Sequence, residues 1–341
     1  MSGPPTVRIG VIGVGALGFH HARLLRAVDG ATLAGVYDTD AARLASVAAE
    51  LGVHAFPSLD ALLAAVDSAT IVVPTPAHFD VARQALDRGL HVLIEKPIAE
   101  SLEQADELLA VASRRDALIQ TGHVERFNQA IRAAKPFIDR PRFIECNRLA
   151  PFNTRGSDVA VVLDLMIHDI DLIRTLVGST VESVSAVGVP VLTGSVDIAN
   201  ARLTFASGAV ANITASRVSR ERMRKLRVFQ PTGYLTLDLA TGTGELYRIR
   251  PDLDREAFLK AAHGGGAQEI ERFVERVPLE APDGEPLRLE LESFVRAVQG
   301  AGAVEVTGQD GREALAMALH IVRDIERSWP RLAGAPAPIR A

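Results

Sequence analysis

The stretch VRIGVIGVGALGFHHARLL, residues 7–25, sets an apolar run before three spaced glycines, Gly13, Gly15 and Gly18, and follows them with a segment of helical periodicity. Glycines at this spacing let the chain turn sharply from strand to helix. They also bring the backbone and the unpaired N–H groups of the helix start close to a pyrophosphate. Alone, the spacing is weak evidence. Its context adds weight: Asp38 follows Gly18 by twenty residues, at the end of a second apolar run, ATLAGVY (31–37). A carboxylate there accepts hydrogen bonds from an adenosine ribose and repels a 2′-phosphate. The loop therefore predicts a dinucleotide site built by Gly13, Gly15, Ala16, Leu17, Gly18 and Asp38, with NAD favoured over NADP. The competing reading is that the glycines only pack helix on strand and that Asp38 only caps the helix that follows.

Working outward, VRIGVI, ATLAGVY, ATIVVP, HVLIE and ALIQT alternate with amphipathic segments as far as about Gly122. This is the rhythm of βαβ units, and it predicts an α/β Rossmann domain with a doubly wound parallel sheet. Gly89 stops the helical HFDVARQALDR, and Ser101 with Gln104 has the spacing of a capping box. After GHVERFNQAIRAA the pattern changes to longer alternating runs: RFIECNRLA, VESVSAVGV, DIANARLTF, GAVANITASRV, KLRVFQ and YLTLDLA. These predict an α+β domain with a large, mostly antiparallel open sheet. ASG at 206–208 reads as a hairpin turn, and helices are expected near 287–299 and 311–328. The expected division is 1–123 for the NAD-binding domain, 124–330 for the substrate domain and 331–341 for a mobile tail, whose Pro/Ala-rich sequence lacks periodicity.

A chain of 341 residues exceeds one small core, and 37 Lys and Arg against 42 Asp and Glu give a net charge of −5. That balance offers no general attraction to nucleic acid or an anionic membrane, so a small-molecule or protein partner is expected. Cys146 is the only cysteine, which excludes an intrachain disulfide and a cysteine-based zinc motif and suits a reducing compartment. Neither a leader pattern nor a run of about 18 apolar residues is present. A cytoplasmic protein is the expectation.

In a doubly wound sheet, ligands bind beyond the carboxyl ends of the strands. Three loops fall there. PTPAH (74–78) offers Thr75, Pro76 and His78 to a cofactor, or is only a proline-stiffened connection. EKPIAES (95–101) offers Glu95, Lys96 and Pro97; the ammonium can hydrogen-bond a substrate hydroxyl and stabilise a developing alkoxide, while Pro97 restricts the loop and tolerates a cis bond. GHVERFNQA (122–130) carries Arg126 and Asn128, which either face a substrate or cap and solvate the following helix.

One further segment, VVLDLMIHDIDLI (161–173), puts His168 among three aspartates. On a helix of about 100° per residue, Asp164, His168 and Asp171 fall within roughly 60° of one another and Asp169 turns away. A metal site would want further ligands, and the sequence offers no such motif, so no metal is expected. A structural histidine bonded to Asp164 and a general base oriented by it both remain open. Alcohol oxidation toward a hydride acceptor is the chemistry that such a base would serve.

Together, VIGVGALG, EKP and the D-x-x-x-H of Asp164 and His168 resemble the glucose-fructose oxidoreductase/inositol dehydrogenase/MocA family, over nearly the whole chain. The resemblance implies a Rossmann domain followed by a large sheet used for dimer or tetramer assembly, and NAD(P)-dependent oxidation of a secondary hydroxyl. It also implies Lys96 as a ligand of the substrate hydroxyl, Asp164 as a ligand of substrate or His168, and His168 as proton acceptor. The family's RFNP is here Arg126-Phe127-Asn128-Gln129, a departure that touches the shape of that loop. GHVERFN, DIANARLTF, ANITASRVS and RKLRVFQ are most similar to the type that oxidises C3 of UDP-N-acetylglucosamine, a step toward amino-sugar lipid A precursors. The run SRVSRERMRKLRVF (216–229) fits a diphosphate, with Arg217 its expected substrate ligand, or is a solvated loop or oligomer contact. The alternatives are a dehydrogenase of a free sugar or cyclitol such as inositol, and a non-catalytic NAD-binding regulator.

Overall fold

The computed structural model describes residues 5–153, 156, 159–250, 254–264 and 271–328; the expected tail, 331–341, lies outside them. The chain divides into two compact units, Met1–Phe127 with Gly284–Met317, and Asn128–Asp283 with Ala318–Ala341.

In the first unit the order is β1 (Val7–Ile12), α1 (Ala16–Leu25), β2 (Ala31–Tyr37), α2 (Ala41–Leu51), α3 (Leu59–Leu63), β3 (Ser68–Ile71), α4 (His78–Asp87), β4 (His91–Glu95), α5 (Leu102–Arg115) and β5 (Ile119–Gly122). The five strands form a parallel sheet in the order β2-β1-β3-β4-β5. Every residue of β3 and β5 is buried, as expected of strands covered on both faces. The chain leaves β1 toward β2 and returns on its other side at β3, so the switch point lies at the carboxyl ends of β1 and β3. Local signals act as expected: Asp40 caps α2 by accepting the Ala42 and Arg43 N–H groups, and Ser101 caps α5 through Gln104 N–H. The Gln104 side chain reaches back to Glu100 N–H, one residue before the position that a capping box would use.

The second unit contains α6 (Gln129–Ala134), β6 (Phe143–Leu149), a helix over 161–177 that begins with a π turn at Val162–Met166 and continues as α7 (Ile167–Val177), and then β7 (Val181–Val189), β8 (Ile198–Phe205), β9 (Val210–Ser216), β10 (Met223–Gln230), β11 (Gly233–Asp238), β12 (Thr243–Ile249), α8 (Arg255–Gly264) and β13 (Val274–Leu279). The eight-stranded sheet runs β13-β12-β11-β10-β6-β9-β8-β7 and is antiparallel except where β6 lies parallel to β9. In β8, Ala199, Ala201, Leu203 and Phe205 are buried, while the residues between them face outward. The 206–208 turn closes the β8–β9 hairpin, with Phe205 N–H donating to Ala209 O at 2.9 Å. Strands β12 and β13 were not anticipated. Each buries a single residue, Leu246 and Leu279, so neither shows the apolar alternation that marks a strand.

The expected boundaries are corrected in two places: the first unit runs to Phe127, and it takes back Gly284–Met317, which includes the start of the last helix. The helix expected at 287–299 is α9 (Pro286–Val298), and it belongs to the first unit and not to the second. Its Leu291, Phe294 and Val295 share a core with Val7, Ile9, Leu24, Leu25 and Val28. Burying three such side chains stabilises this placement by roughly 1.5–3 kcal/mol each. An amphipathic pattern shows that a helix has an apolar face but does not say which sheet it covers. The last helix, α10 (Gly308–Ser328), starts three residues before its expected first residue.

Candidate active site

At the end of β1 the glycine loop is shaped by crowding on two sides and by space on a third. Gly13 has φ +87°, and a Cβ on it would lie 2.5 Å from Val72 O; a Cβ on Gly18 would lie 1.8 Å from Gly13 O. Neither position accepts a side chain. Gly15 differs, because a Cβ there meets no atom within 4 Å, and as N-cap of α1 it makes no side-chain capping bond. Ala16 is exposed and Leu17 half-buried beside it. The first turn of α1 thus presents N–H groups and a partial positive charge to open space, the geometry that a pyrophosphate requires. Asp38 stands at the rim: its Oδ2 accepts Val14 N–H at 2.7 Å and its Oδ1 accepts Asp40 N–H at 2.9 Å. Each carboxylate oxygen retains acceptor capacity for ribose hydroxyls. Arg43, which the sequence reading passed over, donates from Nε to Val14 O at 2.8 Å and places a cation beside the loop. Its only signal was its place three residues after the Asp40 cap. These residues fit a dinucleotide.

The loop after β4 is set from beneath by buried histidines. Glu95 is buried with its carboxylate turned to His21 Nε2 at 3.1 Å, and Lys96 N–H donates to its other oxygen at 3.3 Å. A Cβ on Gly122 would come within 2.9 Å of the same carboxylate. Burial pushes the Glu95 carboxyl up, but the His21 hydrogen bond and charge outweigh it and leave it below its ordinary value. Glu95 therefore supports the loop from inside, and its expected place at the cofactor is corrected. His78 is corrected for the same reason. It is buried, with Nδ1 at 2.8 Å from Pro97 O and Nε2 at 2.9 Å from Val73 O, and burial lowers its pKa. It ties the loop after β3 to the loop after β4. Between these anchors Lys96 is half-buried, and the Lys96–Pro97 bond is cis. Thr75 is half-buried and Pro76 exposed at the start of the 3₁₀ turn Thr75–Ala77. His21 had a readable signal: it falls with Gly18, Ala22 and Leu25 on the buried face of α1.

In the second unit, the π turn changes the histidine segment. Ile167 N–H donates to Val162 O, five residues back, so the turn holds an extra residue and the uniform 100° step fails there. Asp164 and His168 are half-buried, whereas Asp169 and Asp171 are fully buried. His168 and Asp171 keep their i, i+3 spacing on α7, and within the expected group Asp164 and His168 are the half-buried pair while Asp171 is buried. Asp169 takes a two-pronged bond from buried Arg148, at 2.9 Å from Nε and 2.7 Å from Nη2. π turns occur disproportionately at functional sites.

Three expected substrate ligands are used differently. Arg126 lies 3.3 Å from Asp310 and donates to Glu305 O. Asn128 caps α6 through Ala130 N–H at 3.0 Å and donates to Leu239 O at 2.9 Å. The Arg217 side chain is only 3 % exposed and is paired with Asp197 at 2.8 Å. Asn128 and Arg217 are buried, whereas Arg126 is half-buried. Among the described residues, no three His, Cys, Asp or Glu side chains form a metal-binding group, and no helix is long and apolar enough to cross a membrane.

Residues 7–123 match the GFO/IDH/MocA oxidoreductase family, described as an NAD-binding Rossmann fold, and residues 133–236 match the GFO/IDH/MocA C-terminal domain. The chain is 41% identical to UDP-N-acetylglucosamine 3-dehydrogenase of Acidithiobacillus ferrooxidans over 92% of this chain and 96% of that protein. The solved structure of that enzyme superposes with a TM-score of 0.84 at 39% identity, covering 94% of this chain and 98% of the other. The scyllo-inositol 2-dehydrogenase (NAD(+)) of Bacillus subtilis is 32% identical over 62% of this chain and 68% of that protein.

Proposed function

The chain belongs to the GFO/IDH/MocA family of NAD-binding oxidoreductases, and from that premise we propose that it oxidises C3 of UDP-N-acetylglucosamine to a ketone. The observation that carries a catalytic reading is the pair Asp164 and His168, left half-buried on a helix whose other acids are buried. His168 takes the hydroxyl proton, and Asp164 orients His168 or the sugar. Lys96 hydrogen-bonds the same hydroxyl and stabilises alkoxide character as the C–H bond breaks. When bound, the nicotinamide supplies the hydride acceptor. Asp38 favours NAD over NADP, although Arg43 beside the loop softens that preference. The choice of sugar nucleotide is supported by the similarity to the Acidithiobacillus enzyme across nearly both chains.

In this account the protein is cytoplasmic, as its single buried cysteine suits, and forms a homodimer or homotetramer through the eight-stranded sheet. Its 3-keto product is a substrate for amination toward amino-sugar lipid A precursors. One observation favours a second reading, a dehydrogenase of free sugar or cyclitol: burial of Arg217 removes a cation expected at a diphosphate. NADH formation measured with UDP-N-acetylglucosamine, inositol and glucose separates the two. Turnover with the sugar nucleotide alone is expected, turnover only with inositol or glucose transfers the assignment, and NADH binding without any turnover supports a non-catalytic regulator.

A further inference from the structure

The ion pair of Arg217 and Asp197 is buried in the second unit, and neither side chain has a role in the chemistry proposed above. Its bonds reach three segments. Arg217 Nε donates to Asp197 Oδ1 at 2.8 Å, Nη2 to Thr193 Oγ1 at 3.1 Å, and Nη1 to two backbone carbonyls, Gly156 O at 2.7 Å and Val159 O at 2.6 Å. Asp197 Oδ2 in turn accepts the N–H groups of Val191, Leu192 and Thr193 at 2.6–2.9 Å. One planar guanidinium therefore joins the end of β9, the loop before β8 and the segment leading into the helix of Asp164 and His168.

That last connection bears on the site. Val161 N–H donates to Val196 O at 2.8 Å and Asp164 N–H to Ala160 O at 3.2 Å, so the helix start is tied to the same loop. Gly156, whose carbonyl Arg217 holds, lies directly against Asp164: a Cβ there would meet the carboxylate atoms at 2.9–3.2 Å. We propose that Arg217 is a positioning residue for the reaction, fixing Gly156 and Val159 and through them the orientation of the Asp164 carboxylate. The residue type follows from geometry, since a rigid fork serves a carboxylate, a hydroxyl and two carbonyls at once while an ammonium is a single point. This inference rests on the catalytic reading of Asp164.

The test is a double-mutant cycle of Arg217→Lys and Asp164→Asn, with turnover measured per NADH-binding site. Lysine keeps a cation beside Asp197 but gives up the two carbonyls. Arg217→Lys alone is expected to lower kcat by about tenfold with KM changed by less than about threefold, and its effect is expected to disappear in the Asp164→Asn background. A multiplicative loss in the double variant, or unchanged kcat in Arg217→Lys, overturns the positioning role. If Arg217→Lys does not fold, the same cycle with Gly156→Ala decides, because the added Cβ presses on Asp164 from the same side. Wild-type turnover in Asp164→Asn alone defeats the catalytic reading and the positioning role with it. A large effect of Asp164→Asn without coupling defeats only the latter.

Discussion

At the scale of the residue, the three glycines of the first loop do different work, and substitution separates them. A methyl on Gly18 would overlap Gly13 O, so Gly18→Ala is expected to cost about 3 kcal/mol in urea unfolding. Gly15 faces open space, so Gly15→Ala is expected to stay within about 1 kcal/mol of wild type yet weaken NADH binding about tenfold, because the methyl occupies the approach of the pyrophosphate. Equal NADH affinity in a folded Gly15→Ala would place the dinucleotide elsewhere. Lys96→Met tests the other side of the chemistry: kcat is expected to fall about a hundredfold with NADH affinity kept within about threefold. Unchanged kcat would remove Lys96 from the reaction. The shape of the glycine loop, with Asp38 bonded to its Val14 N–H, was legible because a tight strand-to-helix turn requires particular residue types at particular spacings. That Glu95, His78, Asn128 and Arg217 are buried was not legible, because a charged or polar letter in a loop does not show whether it faces out or in.

At the scale of the element, the helix over 161–177 shows where periodicity stops being a guide. Its helical character was visible, but the π turn at Val162–Met166 has no composition signal in VLDLM. One extra residue in that turn shifts Asp164 relative to His168 and Asp171, and burial, which periodicity does not report, distinguishes Asp171 from the half-buried Asp164 and His168. The loop before β8 is a second case, organised by Asp197. Burial pushes that carboxyl up, but hydrogen bonds from Thr193, Arg217 and Leu192 outweigh it and hold it well below the ordinary carboxylate range. A lowered folded-state value means that the charged form stabilises the fold above the unfolded value of about 3.9 and that this contribution is lost as pH falls below it. Asp197→Asn is therefore expected to cost about 3 kcal/mol or more at pH 7, and the gap from wild type is expected to narrow as pH drops below about 4. Urea midpoints at pH 7, 5 and 3.5 check this. A gap that does not change with pH would show that the charge contributes nothing.

At the scale of the whole molecule, the alternation of strands and helices up to Gly122 and the longer alternating strands after it were enough to read both architectures. The sequence did not show that α9 returns to the first unit, because contacts between residues near 291 and those near 9 leave no local trace. Nor did it show β12 and β13, whose few buried residues give no pattern. What the account claims of the protein as a whole is a hydride transfer from one carbon of one sugar nucleotide. The most direct measurement uses UDP-N-acetylglucosamine carrying deuterium at C3, incubated with NAD and the full chain, with the reduced cofactor and the sugar nucleotide analysed by mass spectrometry. The account predicts reduced cofactor heavier by one deuterium and a sugar nucleotide that has lost both that deuterium and the hydroxyl proton. Unlabelled NADH, or a substrate returned with its deuterium in place, would contradict it.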